Sequence, residues 1–137
     1  MVQTLNPHQI EVYWTKLKPA ANPESMKLPN ALLAVVEREK VVDYLLNRAH
    51  RYGASKAEFF SQYGFVLEKW ELLAQALLEH GQKHDVTNVT ETGFGPRYQI
   101  DGELHSPDGR TPRIRTVWQM DRGQLAPRLI TAYPAES

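Results

Sequence analysis

The sequence predicts an α+β domain in which about three helices pack on a four-stranded antiparallel sheet. Three observations carry this. Apolar residues recur at helical spacing only between about residues 38 and 81. From Lys83 onward, short alternating runs rich in β-branched and aromatic residues take over. The two kinds of run do not interleave, and helices followed by strands argue α+β rather than an alternating parallel fold. A chain of 137 residues suits one domain able to bury a core, and it holds no internal repeat.

Residues 1–25 read as a proline-rich arm attached to a domain spanning 26–137. Four of the nine prolines (Pro7, Pro19, Pro23 and Pro29) fall in the first thirty residues. The regular piece there is Gln9–Thr15, a short strand or helical turn whose Tyr13 and Trp14 would tack the arm onto the body or a neighbouring chain. Regular patterning begins just after Met26-Lys-Leu-Pro-Asn30. The first helix is predicted over Arg38–Asn47, where Val41, Val42, Leu45 and Leu46 share a face. Ser55 and Glu58 have capping-box spacing, so a second helix should start at Ser55 and run to Gln62, burying Phe59 and Phe60. Gly64 supplies its stop. A third helix over Leu67–His80 has Trp70, Leu73, Ala74 and Leu77 as its inner stripe, and Gly81 should close it. His80 would then sit at the negative end of the helix dipole.

The strands follow. Asp85–Thr90 reads as an edge strand, and Tyr98–Leu104 alternates with Tyr98, Ile100 and Leu104 inward. Pro107-Asp-Gly109 is a turn signal. The last two strands form a hairpin, Arg113–Met120 and Pro127–Pro134. Its first arm sets Ile114, Thr116 and Trp118 against Arg115, Val117 and Gln119. In the second, alternation sets Arg128, Ile130 and Ala132 against Leu129, Thr131 and Tyr133.

Sixteen basic and sixteen acidic residues cancel, so only local patches can argue for a charged partner. One such patch is the hairpin, with five arginines against one acid between Arg110 and Arg128. Either these arginines bind an anion or they solvate an ordinary strand face. The absence of cysteine removes disulfides, thiolate zinc sites and thiol nucleophiles. Of five histidines only His80 and His84 are closely spaced, with no third ligand suggestively placed, and neither a phosphate loop nor a serine elbow is present. No metal or cofactor is expected. The start of the chain lacks a signal-peptide pattern and no run is apolar enough for a membrane span, so a cytoplasmic protein, or one delivered into a target cell, is expected.

Metal-free acid–base chemistry on a phosphodiester is what this inventory can support. RNA carries its own nucleophile, and histidine, lysine, arginine and hydroxyl side chains suit the proton and charge requirements. The expected catalytic set is His50, Lys56, Thr131 and Tyr133, with Arg97, Arg115, Thr116 and Arg128 binding substrate. Arg115 and Thr116 point to opposite faces, which ranks the arginines below Thr131 and Tyr133. Each has a plain alternative: His50 as a helix terminator, Lys56 as a solvated first-turn residue, Tyr133 as a sheet aromatic with a wet tip.

Several stretches resemble a bacterial family catalogued as a domain of unknown function: Met26–Asn30, Lys40–Asn47, His50, Gly53, Lys56–Phe60, Gly64-Phe65, Trp70, Tyr98–Leu104, Arg115–Trp118 and Pro127–Pro134. The helix-then-sheet order and the closing Thr-Ala-Tyr-Pro also look like the barnase–EndoU–colicin–RelE superfamily of metal-independent ribonucleases, many of which are toxins. That resemblance implies cleavage of RNA through its 2′-hydroxyl and a cognate antitoxin or immunity protein as partner. It places His50 and Lys56 on the helical side of a cleft and Thr116, Thr131 and Tyr133 on the strand side, with His50 moving protons and Lys56 binding charge. The competing expectation is a non-catalytic RNA- or protein-binding module that forms a homo-oligomer through its N-terminal arm. Balanced net charge favours that alternative.

Overall fold

The computed structural model describes residues 26–135; the expectations for residues 1–25, including the roles of Tyr13 and Trp14, lie outside the described residues. Three helical stretches precede a four-stranded antiparallel meander, as the sequence predicts. Helix α1 begins as a single α-turn, Arg38–Lys40, and widens into a π-turn over Val41–Leu45. Helices α2 (Ala54–Gln62) and α3 (Trp70–Lys83) follow, and short 3-10 turns occupy Ala31–Leu33 and Leu67–Lys69. The strands are β1 (Val86–Thr92), β2 (Gly95–Glu103), β3 (Arg113–Gln119) and β4 (Arg128–Pro134), hydrogen-bonded in that order.

The widened turn of α1 follows from its burial demands. Leu46 donates its N–H to the Val41 carbonyl at 2.8 Å, one residue beyond the α-helical partner. The extra residue lets Val41, Leu45 and the adjacent Leu46 all enter the core while Tyr44 leaves along another direction. Helix α2 starts one residue earlier than predicted, on Gly53, and no capping box forms; Ser55 lies within the first turn. Gly64, with φ of 96°, terminates it in the conformation that glycine adopts without strain. Phe60 is fully buried, whereas Phe59 is only half-buried.

Gly81 does not end α3. The helix continues to Lys83 because Gly81 is where Trp118 crosses it: a Cβ there would lie 2.5 Å from Cζ2 of the indole. Its lack of a side chain serves packing rather than chain reversal.

The helices cover one face of the sheet. Tyr98, Ile100, Ile114 and Trp118 point into that layer and, with Leu73 and Leu77, form its core. At the β3–β4 pairing the register shifts: Val117 opposes Thr131, but Trp118 opposes Leu129, leaving Ile130 as the extra residue of a bulge. The simple alternation expected for β4 is therefore overturned. Leu129 and Ala132 both face the helices, while Arg128, Thr131 and Tyr133 line the outer face opposite Gln119, Val117 and Arg115. Beside β4, Val35 makes an isolated parallel bridge to Arg128. The chain thereby runs along the sheet edge before the π-segment of α1 buries Val41 and Leu45 in the core and sends Tyr44 to the outer face.

Candidate functional site

Three of the four residues expected to be catalytic meet around a residue the sequence did not single out, Tyr44. Its hydroxyl lies 3.0 Å from Thr131 Oγ1, joining the π-turn of α1 to the outer face of β4. The imidazole of His50 meets the Tyr44 ring edge-on, with centroids 5.0 Å apart. Lys56 Nζ stands 5.4 Å from the centre of the same ring and Lys40 Nζ 5.3 Å from it. Among the described residues neither ammonium pairs with a carboxylate, and Lys56 donates only to the Tyr52 carbonyl, at 3.2 Å. Two ammonium groups that make no ion pair among the described residues thus stand around one phenol.

His50 is held by the turn that follows it. Its Nδ1 accepts the N–H groups of Tyr52 at 2.9 Å and of Gly53 at 3.0 Å. With two amide protons directed at Nδ1, the proton of the neutral ring belongs on Nε2, which therefore presents an N–H donor. The turn itself needs Gly53, where a Cβ would lie 2.2 Å from the Tyr44 carbonyl oxygen.

Tyr133, the fourth expected residue, lies two positions along β4 from Thr131 on the same face. It stands beside Arg115, whose guanidinium is 6.0 Å from its ring centre. That arginine is not free for a ligand, because it grips Asp101 through both carboxylate oxygens at 2.7 and 3.0 Å. The pairing holds the Asp101 carboxyl below the usual carboxylate range and raises Arg115 further above its ordinary value. Arg128 is similarly held by Asp121 at 2.8 Å, and Arg97 donates to the Gln119 amide oxygen at 3.1 Å. Three arginines of the outer face are thus occupied by Asp101, Asp121 and Gln119, whereas the two lysines at its edge make no ion pair among the described residues.

Thr116 is placed where no ligand can reach it. It is 0% exposed on the helix-facing side of β3, where its Oγ1 receives the Trp118 indole N–H at 2.8 Å and contacts His80 Nδ1 at 2.9 Å. Strand parity puts it on the core face, so it is a packing hydroxyl rather than a substrate contact. His80 is equally enclosed, and its Nε2–H is shared between the carbonyls of Gly102 and Ile114, both at 3.1 Å. Burial, and then the neighbouring His84, push its pKa down to about 4 against the opposing pull of those carbonyls. His80 is therefore neutral at pH 7 and adds no charge to the end of α3, contrary to the dipole expectation.

Two concavities lie away from this corner. A cavity of about 640 Å³ between α1 and α2 is lined by apolar Val42, Leu46 and Phe65 and by polar Asp43, Asn47 and Arg48. One of about 280 Å³ opens beside His80, His84 and His105, yet no group of three or more potential ligands among the described residues has metal-binding geometry. Among these residues no helix is long and apolar enough to cross a membrane.

The signal for Tyr44 was present in its surroundings. A tyrosine among Val41, Val42, Leu45 and Leu46, with Lys40 four residues before it, is an aromatic whose hydroxyl needs a polar partner on burial. The sequence does not reveal that partner, because Thr131 is 87 positions away.

Comparison with known proteins locates the chain without assigning its chemistry. Residues 27–136 match the family model described as a domain of unknown function, DUF6883. One solved structure is similar at a TM-score of 0.60 and 15% sequence identity: a chain of a contact-dependent growth inhibition toxin–immunity protein complex from Klebsiella pneumoniae 342, the match covering 79% of this chain and 98% of that one. At that identity the likeness is one of fold. No curated protein matches.

Proposed function

From the premise that the chain belongs to the DUF6883 family, we propose that it is a metal-independent endoribonuclease domain acting as a bacterial toxin. The observation that carries this reading is the convergence of His50, Lys40, Lys56 and Thr131 on Tyr44 at the edge of the outer sheet face. The fold shared with a chain of a toxin–immunity complex supports it, as does the sequence resemblance to the barnase–EndoU–colicin–RelE superfamily.

The chemistry follows from the groups present. The 2′-oxygen attacks phosphorus and the bond to the 5′-oxygen breaks, leaving a 2′,3′-cyclic phosphate and a 5′-hydroxyl once a proton has reached the leaving oxygen. Negative charge grows on the non-bridging oxygens during this step. Lys40 and Lys56 answer that charge, and His50 Nε2–H donates a hydrogen bond to it. The occupied Nδ1 makes His50 a donor rather than the proton shuttle that residue type alone suggests. Tyr44 Oη and Thr131 Oγ1, either of which can donate to the other, form the relay that takes the 2′ proton and passes one on to the leaving 5′-oxygen. Tyr133 and its arginine neighbour border the site on the same face. A cognate immunity protein would silence such a toxin most directly by placing acidic groups against the two lysines.

The test is incubation of the purified full chain with tRNA and total RNA in EDTA, with product ends identified by enzymatic phosphorylation. Cleavage leaving 5′-hydroxyl ends, lost in Lys56→Ala and reduced in Tyr44→Phe, is the expected result. No cleavage at any protein concentration, together with no growth defect on expression, overturns the reading.

A further inference from the structure

Tyr52 combines a fixed backbone with an exposed side chain. Its N–H is held by His50 Nδ1 at 2.9 Å and its carbonyl by Lys56 Nζ at 3.2 Å, so two residues of the cationic corner clamp it from both sides. Gly53 closes the turn against Tyr44, with no room for a Cβ. Yet Tyr52 as a whole is 65% exposed. Its ring centre lies 6.2 Å from that of His50, tilted by 55°, and the Arg51 guanidinium stands 5.4 Å from it. Exposure of a single large side chain is ordinary, and Leu32 and Phe94 are more exposed still; what distinguishes Tyr52 is that the backbone beneath it is anchored to His50 and Lys56.

We propose that Tyr52 is a stacking platform for one nucleobase, set beside the phosphate-binding corner, and that the ligand is therefore single-stranded RNA rather than a duplex. This rests on the phosphodiester reading of that corner and names its substrate class. The geometry is that of single-strand recognition: a cation at the backbone and an aromatic face beside it on which an unstacked base can lie. Bases inside a duplex are already stacked on both sides and present only their edges, so the ring would find no partner there. Arg51 lies over one face of the same ring, so the base would stack on the other. His50 couples the two parts, since its Nδ1 fixes the platform's backbone while its Nε2–H has no partner among the described residues.

The experiment is fluorescence anisotropy of a labelled 2′-O-methyl RNA 12-mer, which cannot be cleaved, titrated as a single strand and as a blunt duplex against the full chain. The wild type is expected to bind the single strand at least tenfold more tightly than the duplex. Tyr52→Ala should lose about tenfold for the single strand and nothing for the duplex, the scale of one lost base–aromatic stack. Tyr52→Phe should keep wild-type affinity, because the face and not the hydroxyl is used, and circular dichroism should show all variants folded. Lys56→Ala should weaken both ligands by a similar factor. Equal binding of strand and duplex, or a Tyr52→Ala protein indistinguishable from wild type while Lys56→Ala still loses affinity, overturns the platform and leaves the phosphate corner standing. Absence of binding to either RNA by the wild type overturns both.

Discussion

His50 and His80 are the same side chain put to opposite uses. At His80 both ring nitrogens are spent inside the protein, one against Thr116 and the other on two strand carbonyls, and the ring is 2% exposed. At His50 one nitrogen is spent on a turn and the other has no partner among the described residues. The first bolts α3 to β2 and β3; the second reaches outward from a corner lined by unpaired lysines. A histidine's role here is decided by how many of its two nitrogens the fold consumes, and that number is set for His80 by residues far away in the chain and for His50 by the turn that follows it.

The comparison breaks most severely at the bolt. His80→Ala should cost about 4 kcal/mol, since it leaves a cavity and strips partners from the Thr116 hydroxyl and the two carbonyls. Urea denaturation followed by tryptophan fluorescence measures this, and a loss under about 1 kcal/mol would mean the bonds do not matter to stability.

Acid offers a milder way to loosen the same joint. Folded His80 titrates near 4 and an unfolded histidine near 6.5, so the native state binds fewer protons between those values. The stability tied to its neutral form is complete above the unfolded pKa, falls as pH drops from about 6.5 toward 4, and levels off below that. The loss should reach about 3 kcal/mol. Urea midpoints across this range should fall less steeply in His80→Gln; parallel slopes would assign the acid sensitivity to carboxylates such as Asp101.

Thr116→Val sharpens the contrast between the faces of β3. It keeps the shape but leaves the Trp118 N–H without its acceptor, and about 2 kcal/mol should be lost. RNA binding, corrected for the folded fraction, should be unchanged. Weakened binding in that corrected measurement would put Thr116 back among the ligand contacts.

The smallest effect on stability belongs to the other histidine. His50→Ala returns the exposed Tyr52 amide to water but leaves the buried Gly53 N–H without its acceptor, so the unfolding free energy should fall by only about 1 kcal/mol. RNA cleavage or affinity should nevertheless fall about tenfold, the equivalent of one hydrogen bond to a charged group. A variant that loses stability but not function would make His50 a turn-former alone.

Much of the architecture was legible because it rests on local periodicity. The helical stripes of α1 and α3, the alternation of β2 and β3 and the turn at Pro107–Gly109 are patterns over a few residues. What could not be read depends on partners distant in the chain. Gly81 resembles a helix stop, and only the Trp118 indole lying on it explains why the helix runs on. The widening of α1 and the extra residue in β4 keep local composition unchanged while altering which side chains share a face. His50, Lys56 and Thr131 could be named as candidates by chemistry and do lie near one another, but Tyr44, the residue they gather around, was hidden within a helical stripe. Thr116 was misread by chemistry although strand parity already placed it on the core side.

The extra residue at Ile130 lets one short strand keep two commitments that strict alternation would set against each other. Before it, Leu129 seals the interior; after it, Thr131 and Tyr133 are turned to the outside while Ala132 takes over the interior position. A single inserted amino acid thus acts as a phase shifter between a stretch that answers to folding and a stretch open to adaptation. Relatives could exchange the outward hydroxyls for other chemistry without disturbing the interior seal, provided the inserted residue stays.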